Sequence, residues 1–238
     1  MTTALIFAGG AGRRMNSRSR PKQFLEMHGK PIIIYTLEHF EYHEAVEEIV
    51  VVCIKEWIEE LKGLLKRFGI TKVKKIVPGG ETGHDSIYYG LVSMKAFCQE
   101  DDIVLIHDGV RPLITGQLIT QNIEAVKQYG NAITAETSRE SVVRSVDGKN
   151  ICDVPPRDQM YVAKAPQSFY FGRIIGLYER ARKNGIKTID SAHLCSLCKE
   201  PMHIVMSTKN NIKITEPVDY YIYRALYEAM EGQQIFGI

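Results

Sequence analysis

A short apolar run at residues 4–7 leads directly into a glycine-rich stretch at residues 8–12, which reads Ala-Gly-Gly-Ala-Gly. Four apolar residues that end at glycines are typical of a buried strand, and a helical pattern begins later, at Pro31. A strand, a glycine loop and a helix in this order form the start of an α/β unit, with the loop at the carboxyl end of the strand. The first loop is therefore expected to belong to a ligand site.

The same loop is strongly basic. Between Ala8 and Phe24 there is no acidic residue, and the basic ones are Arg13, Arg14, Arg18, Arg20 and Lys22. Glycines let backbone N–H groups approach a polyanion, and guanidinium and ammonium groups neutralise its charge. This combination predicts a cradle for a triphosphate. The alternative is a tight turn with solvated arginines, which the density of charge and the position of Lys22 behind Pro21 disfavour.

Two familiar nucleotide motifs do not match this loop. A P-loop requires G-x-x-x-x-G-K-[ST], and a dinucleotide-binding loop requires G-x-G-x-x-G followed by an acidic residue. Here Gly10-Ala11-Gly12 is followed by Arg13-Arg14-Met15, without a third glycine. A nicotinamide-dependent reductase is therefore disfavoured, and soaking with NAD(P) would test that alternative.

Apolar strands and amphipathic helices alternate through the first half of the chain. Strands are predicted at 48–54, 73–77 and 103–106, and helices at 31–42, 57–68 and 86–97. Such alternation indicates an α/β fold with a mostly parallel, Rossmann-like sheet and helices on both faces. The chain has 238 residues, 45% of them hydrophobic, and no visible linker, so a single domain over 1–238 is expected.

The alternation breaks between Ser141 and Phe169. Apolar residues at 142–146 and 151–154 flank Asp147-Gly148, which is the pattern of a β-hairpin, and several prolines follow. A β segment of this length cannot bury itself alone, so it predicts either a lid or an arm exchanged with a second subunit. Residues 141–169 are accordingly predicted to protrude from the domain as a β-arm, in one of these two roles.

Helical and strand patterns resume after the arm. A helix is predicted around 174–178, a short helix after Asp190 and a strand at 203–206. A C-terminal helix opens at Thr215 and Pro217, and its predicted buried face carries Ile222, Leu226 and Ala229.

The overall charge and hydropathy limit the partners and the location. A net charge of +2 is close to neutral, so the basic loop is a local feature and nucleic-acid binding is not expected. No apolar run approaches the length of about 20 residues that a membrane span needs, and the N-terminus does not resemble a signal peptide. We expect a cytoplasmic protein without a membrane partner.

Five scattered cysteines indicate reduced thiols rather than a disulfide framework. His193, Cys195 and Cys198 could also be interpreted as part of a zinc site, but no second Cys/His pair lies nearby to complete four ligands. Leu194, Leu197 and Cys198 fit the buried face of a short helix better.

The strand at 103–106 continues into His107-Asp108-Gly109-Val110-Arg111-Pro112. Polar residues at the carboxyl end of a strand in a parallel sheet are candidates for ligand contacts. Asp108 is therefore predicted to bind Mg²⁺ together with a triphosphate, the alternative being a cap for the following turn. His107 is interpreted as a packed or hydrogen-bonded histidine. Arg111 either lies near the nucleotide or only holds the Asp108 loop.

The pattern A-G-G-x-G-x-R-M at 8–15, followed by P-K-Q-F at 21–24, resembles the sugar-phosphate nucleotidyltransferases and in particular their cytidylyltransferase branch. That branch includes 2-C-methyl-D-erythritol 4-phosphate cytidylyltransferase and ribitol 5-phosphate cytidylyltransferase. Further matching stretches occur near Gly79, His107, Arg139, Pro166, Asp190 and Lys213, so the resemblance covers nearly the whole chain. It implies transfer of CMP from CTP to a polyol phosphate, with Mg²⁺ as the cofactor and release of pyrophosphate.

The resemblance also assigns roles to particular residues. Arg14, Lys22, Lys213 and Arg139 would be catalytic, and the first three would contact phosphates. CTP would be bound by Ala8, Gly9, Gly10, Ala11, Gly12, Arg13, Gly79, Gly80, Asp85, Ser86, Asp108 and Arg111. The acceptor would contact Arg139, Ser141 and Asp190. The resemblance also implies that the β-arm at 141–169 forms a homodimer and reaches toward the site of the partner subunit.

The identity of the acceptor depends on a few departures from the methylerythritol enzymes. Ile189 stands where those enzymes usually have threonine, Ala165 replaces another threonine, and a customary arginine after Gly-Gly is Gly83 or His84 here. Arg139 is retained, and a charge-assisted contact outweighs one neutral hydrogen bond. The sequence therefore favours 2-C-methyl-D-erythritol 4-phosphate by a small margin, with ribitol 5-phosphate or a related pentitol phosphate as the alternative.

A non-enzymatic alternative is a regulatory protein that binds a nucleotide without transferring it. The joint presence of Arg14, Lys22, Asp108 and Lys213 argues against that interpretation, because a binding protein does not need the groups that stabilise charge during transfer.

Overall fold

The computed structural model describes residues 1–9 and 20–236, and the side chains of that part as far as residue 232. Its strands are β1 (Thr2–Ala8), β2 (Glu26–Met27), β3 (Lys30–Pro31), β4 (Glu48–Cys53), β5 (Val73–Pro78), β6 (Ile103–Asp108), β7 (Asn131–Thr137), β8 (Tyr161–Tyr170) and β9 (Ile204–Met206). Its helices are α1 (Ile32–Glu41), α2 (Ile58–Arg67), α3 (Gly83–Met94), α4 (Gly116–Tyr129), α5 (Phe171–Lys183), α6 (Ser191–Leu197) and α7 (Pro217–Phe236).

Seven strands form the central sheet in the order β5-β4-β1-β6-β8-β7-β9. All neighbours pair in parallel except at β8, which is antiparallel to both β6 and β7. Strands β1, β4 and β6 carry almost only buried apolar residues, as expected for strands covered on both faces. The predicted α/β fold with a mostly parallel sheet is confirmed.

The helices cover the two faces of the sheet. Apolar residues of α1, α2 and α4 pack on one face, and those of α3, α5 and α6 pack on the other. A smaller apolar cluster lies between α1, α7 and the chain around Val110 and Leu113. This third cluster attaches the C-terminal helix to the loop that follows β6.

Helix α4 and strand β7 occupy a stretch to which the sequence analysis assigns no element. Leu118, Ile119, Asn122, Ile123 and Val126 are all buried, at the helical spacing that would have indicated α4. The helix ends at Gly130, whose φ of +85° is the left-handed conformation that favours glycine.

The predicted arm is too long at its C-terminal end. Residues 161–169 belong to β8, which pairs with β6 and β7 in the middle of the central sheet. The segment that is exposed and lies outside the sheet is 138–160, and we call it the arm from here on. The predicted hairpin turn is present, but it is held by a single bridge between Arg144 and Asp153.

Two predicted buried faces are also wrong in part. In α7 the buried residue is Tyr223, whereas Ile222 is 44% exposed and Ala229 is exposed. In α6 the buried residues Leu194 and Cys195 face the core, whereas Leu197 is 52% exposed. In α7 the buried face is displaced by about one residue, whereas in α6 only Leu197 is misplaced, because Leu194 is buried and Cys198 is partly buried.

The five cysteines are unpaired, as predicted. Among the described residues, no cluster of His, Cys, Asp and Glu side chains has the arrangement of a metal site, so His193, Cys195 and Cys198 do not form one. None of the described helices is both long enough and apolar enough to cross a membrane.

Candidate active site

A cavity of about 590 Å³ lies at the carboxyl edge of the sheet, where β1, β5 and β6 end. The predicted site residues that line it are Ala8, Gly9, Lys22, Gly80, Ser86, Asp108 and Lys213. These residues are far apart in the sequence and meet because parallel strands end at one edge. Gly10, Ala11, Gly12, Arg13 and Arg14 lie outside the described residues.

Two glycine segments meet backbone to backbone at one wall of the cavity. A Cβ atom on Gly79 would lie only 2.9 Å from the Cα of Gly9, and one on Gly9 would lie 3.0 Å from the Ser86 hydroxyl. The Ser86 Oγ accepts a hydrogen bond of 3.0 Å from the backbone N–H of Gly80. Only glycine fits at this contact, which holds the end of β1 against the turn after β5.

Helix α3 begins at the same wall. The Thr82 hydroxyl accepts the N–H of Asp85 at 3.1 Å and donates to its carboxylate Oδ2 at 2.7 Å. Thr82, Gly83 and Ser86 line the cavity, so the positive end of the helix dipole faces it. Asp85 completes this cap and lies 3.6 Å from Arg182, and its contact with CTP stays a prediction.

Asp108 is the buried acid of the site. Its Oδ1 lies 2.5 Å from the Lys213 ammonium, and its Oδ2 accepts a hydrogen bond of 2.7 Å from Arg111 Nε. Burial alone would raise the pKa of Asp108, but the charges and hydrogen bonds of Arg111 and Lys213 outweigh it and hold that pKa well below its ordinary value. The carboxylate is therefore ionised across the physiological range.

Arg111 holds the Asp108 loop, which was one of the two predicted alternatives. It is only 8% exposed, it does not line the cavity, and its Nη1 donates to the carbonyl of Asn211 at 3.0 Å. Arg111 thereby connects β6 to the segment that carries Lys213.

Lys22 lies in the 3₁₀ turn Lys22–Phe24, which follows Pro21. Its Nζ donates to the carbonyl of Ile214 at 2.9 Å, next to Lys213. The neighbouring Gln23 donates to the carbonyl of Ala8 at 2.6 Å and so fixes the turn to the end of β1. Two lysines from distant parts of the chain thus line the same cavity.

His107 is a packed histidine, as predicted. It is fully buried, its ring lies 5.2 Å from that of Phe40, and its Nε2 lies 3.4 Å from the carbonyl of Arg111. Burial lowers the pKa of His107 to about 3, so it is neutral at physiological pH.

The residues predicted to bind the acceptor do not line the cavity. Arg139 is exposed and lies 3.3 Å from Glu136, and Ser141 is exposed in the arm. Asp190 caps α6, accepting the N–H of His193 at 2.8 Å. The roles of Arg139, Ser141 and Asp190 toward an acceptor stay predictions.

Three residues at positions where the sequence departs from the methylerythritol pattern can be located in the structure. Gly83 lines the cavity, while His84 is buried against Tyr178 and its Nδ1 lies 2.8 Å from the Thr188 hydroxyl. Ile189 is 83% exposed beside Asp190. The hydroxyl that the methylerythritol enzymes have at this point is therefore replaced by an apolar side chain.

The donor set fits one mode of magnesium binding. Mg²⁺ at nucleotide sites is commonly held by one or two carboxylates and the substrate phosphates rather than by a complete protein cage. Asp108 is a single ionised carboxylate in the cavity wall, and no group of three or more potential ligands occurs in the described part of the chain. Asp108 could bind Mg²⁺ in this way once the ammonium of Lys213, which pairs with it here, turns toward a phosphate.

Lys164 and Asn211 are site-adjacent residues that the sequence analysis missed. The backbone carbonyl of Asn211 accepts hydrogen bonds from Lys164, which is 47 positions away in the sequence, and from Arg111, which is 100 positions away. Arg111 in turn pairs with Asp108. The signal that could have drawn attention to Lys164 is a lysine inside an otherwise apolar run before Pro166.

Glycines that admit phosphates and cations that neutralise them, placed at the switch-point edge of an α/β sheet, define a nucleotidyltransferase. The family model for 2-C-methyl-D-erythritol 4-phosphate cytidylyltransferase matches residues 2–228, and the chain belongs to that family. The resemblance inferred from the sequence is thereby confirmed, and the protein is a CTP-dependent cytidylyltransferase that acts on a polyol phosphate.

Individual relatives divide between two acceptors. The chain is 46% identical to ribitol-5-phosphate cytidylyltransferase of Streptococcus agalactiae serotype Ia, over the full length of both proteins. It is 35% identical to 2-C-methyl-D-erythritol 4-phosphate cytidylyltransferase of Clostridium botulinum strain 657, covering 96% of this chain and 98% of the relative. The crystal structure of 4-diphosphocytidyl-2C-methyl-D-erythritol synthase from Anaerococcus prevotii superposes with a TM-score of 0.82 at 27% identity, covering 95% and 96% of the two chains.

Proposed function

We propose that the acceptor is ribitol 5-phosphate, so that the enzyme forms CDP-ribitol and pyrophosphate. The observation that carries this proposal is the 46% identity over the whole chain to a ribitol-5-phosphate cytidylyltransferase, against 35% to a methylerythritol enzyme. The motifs alone favour 2-C-methyl-D-erythritol 4-phosphate by a small margin, whereas the higher identity to the ribitol-5-phosphate enzyme supports the pentitol phosphate.

The departure at the acceptor edge supports the pentitol phosphate. Ile189 stands where the methylerythritol pattern has a threonine, and its side chain cannot donate a hydrogen bond. A site that has lost a polar contact is suited to a substrate other than the one that contact recognises. Arg139 does not discriminate between the two acceptors, because its guanidinium can grip any phosphate monoester.

The reaction needs charge neutralisation rather than a nucleophilic side chain. An oxygen of the acceptor phosphate attacks the α-phosphorus of CTP, the new P–O bond forms, and the bond to the β-phosphate breaks to release pyrophosphate. Both partners are anionic, so alignment and countercharge account for most of the rate gain. Lys22 and Lys213 supply ammonium groups at the cavity wall for this purpose.

The described residues fit these tasks. The glycine wall around Gly9 and Gly79 and the Ser86 hydroxyl offer backbone and hydroxyl groups to the nucleotide. Lys213 is held at the cavity wall by Asp108 and is 39% exposed, so it can turn to a phosphate. Asp108 would hold Mg²⁺ bound with the triphosphate, and the ion would supply further positive charge to the phosphates.

We also propose a homodimer formed through the arm. The arm exposes several large apolar side chains, with Val146 89%, Ile151 62% and Val154 57% exposed. An apolar surface of this kind on a segment outside the core is typical of a protein interface.

The decisive experiment compares kcat/KM for ribitol 5-phosphate and 2-C-methyl-D-erythritol 4-phosphate under identical conditions with CTP and Mg²⁺. We expect at least about a tenfold preference for the pentitol phosphate, equivalent to roughly 1.4 kcal/mol. A tenfold preference for the methylerythritol substrate would refute the proposal. Pyrophosphate release with ATP or UTP in place of CTP serves as the control for the nucleotide.

A further inference from the structure

Lys213 enters the cavity from a stretch of chain that has neither helix nor strand. Residues 207–216 run from the end of β9 to the start of α7 without a regular element. On the C-terminal side of Lys213, the N–H of Ile214 donates to the carbonyl of Val110 at 2.9 Å. The contacts on the N-terminal side of Lys213 involve Asn211 and Lys164.

Strand β8 is irregular at the point where this stretch crosses it. Ile133 pairs with Gln167 and Ala135 pairs with Ala163, so one residue of β7 faces three residues of β8. Bulges of this kind occur beside active sites and redirect side chains. Lys164 and Ala165 lie in the bulge, at the edge of the sheet where Asp108 lies on the neighbouring β6.

Asn211 fills this bulge and is fully buried. Its side-chain Nδ2 donates to the carbonyl of Ala165 at 2.7 Å, which satisfies a group that the interrupted ladder leaves unpaired. Its own backbone carbonyl accepts two cationic donors, Arg111 Nη1 at 3.0 Å and Lys164 Nζ at 3.3 Å. The residue two positions before Lys213 is therefore clamped from both sides.

The Lys164 ammonium is built into the fold and is not a solvated surface charge. Its side chain is 11% exposed and forms an ion pair with Glu136, which is itself 16% exposed. Through the shared carbonyl of Asn211, Lys164 joins the network that links Arg111, Asp108 and Lys213.

We propose that Lys164 is a positioning residue for nucleotidyl transfer, which holds the Asn211 carbonyl together with Arg111 and thereby fixes where Lys213 enters the cavity. Lys164 does not line the cavity, so it acts through Lys213 rather than on the substrates. The inference rests on the role proposed for Lys213 in the transfer to a polyol phosphate.

The test is a double-mutant cycle of Lys164→Met and Lys213→Ala, assayed by pyrophosphate release with whichever acceptor the wild type uses best. Lys164→Met is expected to lower kcat about tenfold and to leave KM for CTP within about twofold, because only the alignment of Lys213 changes. On the Lys213→Ala background, the same substitution should change kcat by less than about twofold.

Three controls separate the contact with Asn211 from other effects. Lys75→Met removes another partly buried lysine whose Nζ donates to a carbonyl, that of Ser93 at 2.9 Å, and it should leave kcat unchanged. Glu136→Gln keeps Lys164 beside Asn211 and should stay within about threefold of wild type. If Lys164→Met does not fold, the double variant Lys164→Met/Glu136→Gln takes its place in the cycle, because it lacks both charges of the ion pair.

Several outcomes would overturn the inference. These are additive effects in the cycle, an unchanged kcat in Lys164→Met, or a loss in Glu136→Gln as large as that in Lys164→Met. A rise in KM for the acceptor at constant kcat would overturn it too, because that pattern belongs to direct substrate binding. Failure of the proposed function is a separate result, since it appears as absent turnover in the wild type with every polyol phosphate.

Discussion

Gly80→Ala tests whether the glycine turn after β5 is as closely fitted as the structure shows. A Cβ on Gly80 would lie 2.4 Å from the Cβ of Asp85 and 3.1 Å from the Asp85 carbonyl carbon. Ordinary contact begins at 3.4 Å, so the turn and the first turn of α3 must separate by about 1 Å. Asp85 cannot yield easily, because it belongs to the helix cap with Thr82.

We expect Gly80→Ala to lower the rate of catalysis. A displacement of 1 Å at a site that aligns reactants lowers the rate by about 10²-fold, or roughly 2.7 kcal/mol of transition-state stabilisation. The bond from the Gly80 N–H to the Ser86 hydroxyl would lengthen at the same time. We therefore expect kcat/KM for CTP to fall by about two orders of magnitude in steady-state assays of pyrophosphate release.

Gly63→Ala is the matched control for this change. Gly63 lies inside α2, and a Cβ there meets nothing within 4 Å. The substitution should raise the free energy of unfolding by about 0.5–1 kcal/mol and leave the kinetics unchanged. The argument fails if Gly80→Ala, shown by circular dichroism to be folded, keeps kcat/KM for CTP within about threefold of wild type.

Three further changes probe other parts of the molecule. Lys22→Ala should lower kcat by about 10²-fold, through loss of an ammonium that stabilises charge in the transition state, and a near-normal kcat would remove Lys22 from the machinery. Deleting residues 142–154 should convert a dimer into a monomer by light scattering, and an unchanged dimer would contradict the role of the arm. Burial lowers the pKa of His107 from 6.5 to about 3, so the neutral form is the one that the fold stabilises. The contribution of His107 to the free energy of unfolding should then be complete above pH 6.5. It should fall by up to about 1.4 kcal/mol per pH unit as the pH drops from 6.5 toward 3. His107→Gln should flatten this slope in urea titrations between pH 6.5 and about 5, leaving the part due to His39 and His84, whose pKa values burial also lowers; below about pH 5, carboxyls such as Asp108 and Glu41, whose pKa values are lowered too, add to the slope. An unchanged slope between pH 6.5 and about 5 would refute the assignment.

The parts of the site that the sequence predicts are those with a local signal. Gly79 and Gly80 follow an apolar strand, Asp108 ends another, and both patterns place these residues at one edge of a parallel sheet. Lys164 and Asn211 have no such signal, because their roles arise from contacts between segments that are distant in the sequence. Local patterns contain no information about which distant carbonyl a lysine will reach.

The errors in the fold have the same origin. Strand β8 contains Pro166, which argues against a central strand because proline cannot donate to the ladder. The structure accommodates it in the bulge, where Asn211 satisfies the carbonyl of Ala165. In α7, Tyr223 rather than Ile222 is buried because it packs against Tyr35 of α1, a contact that the helical pattern alone does not contain.

The reversed direction of β8 has a consequence for how the arm can vary among relatives. Because β7 ends and β8 begins at the same edge, the arm is a closed excursion between adjacent strands, and its two ends meet at the end of the β7–β8 pair. The loop can therefore be exchanged between relatives as one cassette without altering a single strand pairing. The cavity lining cannot be exchanged in this way, because Ala8 and Asp108 are the last residues of core strands. Changes in the arm therefore leave both the sheet and the cavity lining in place.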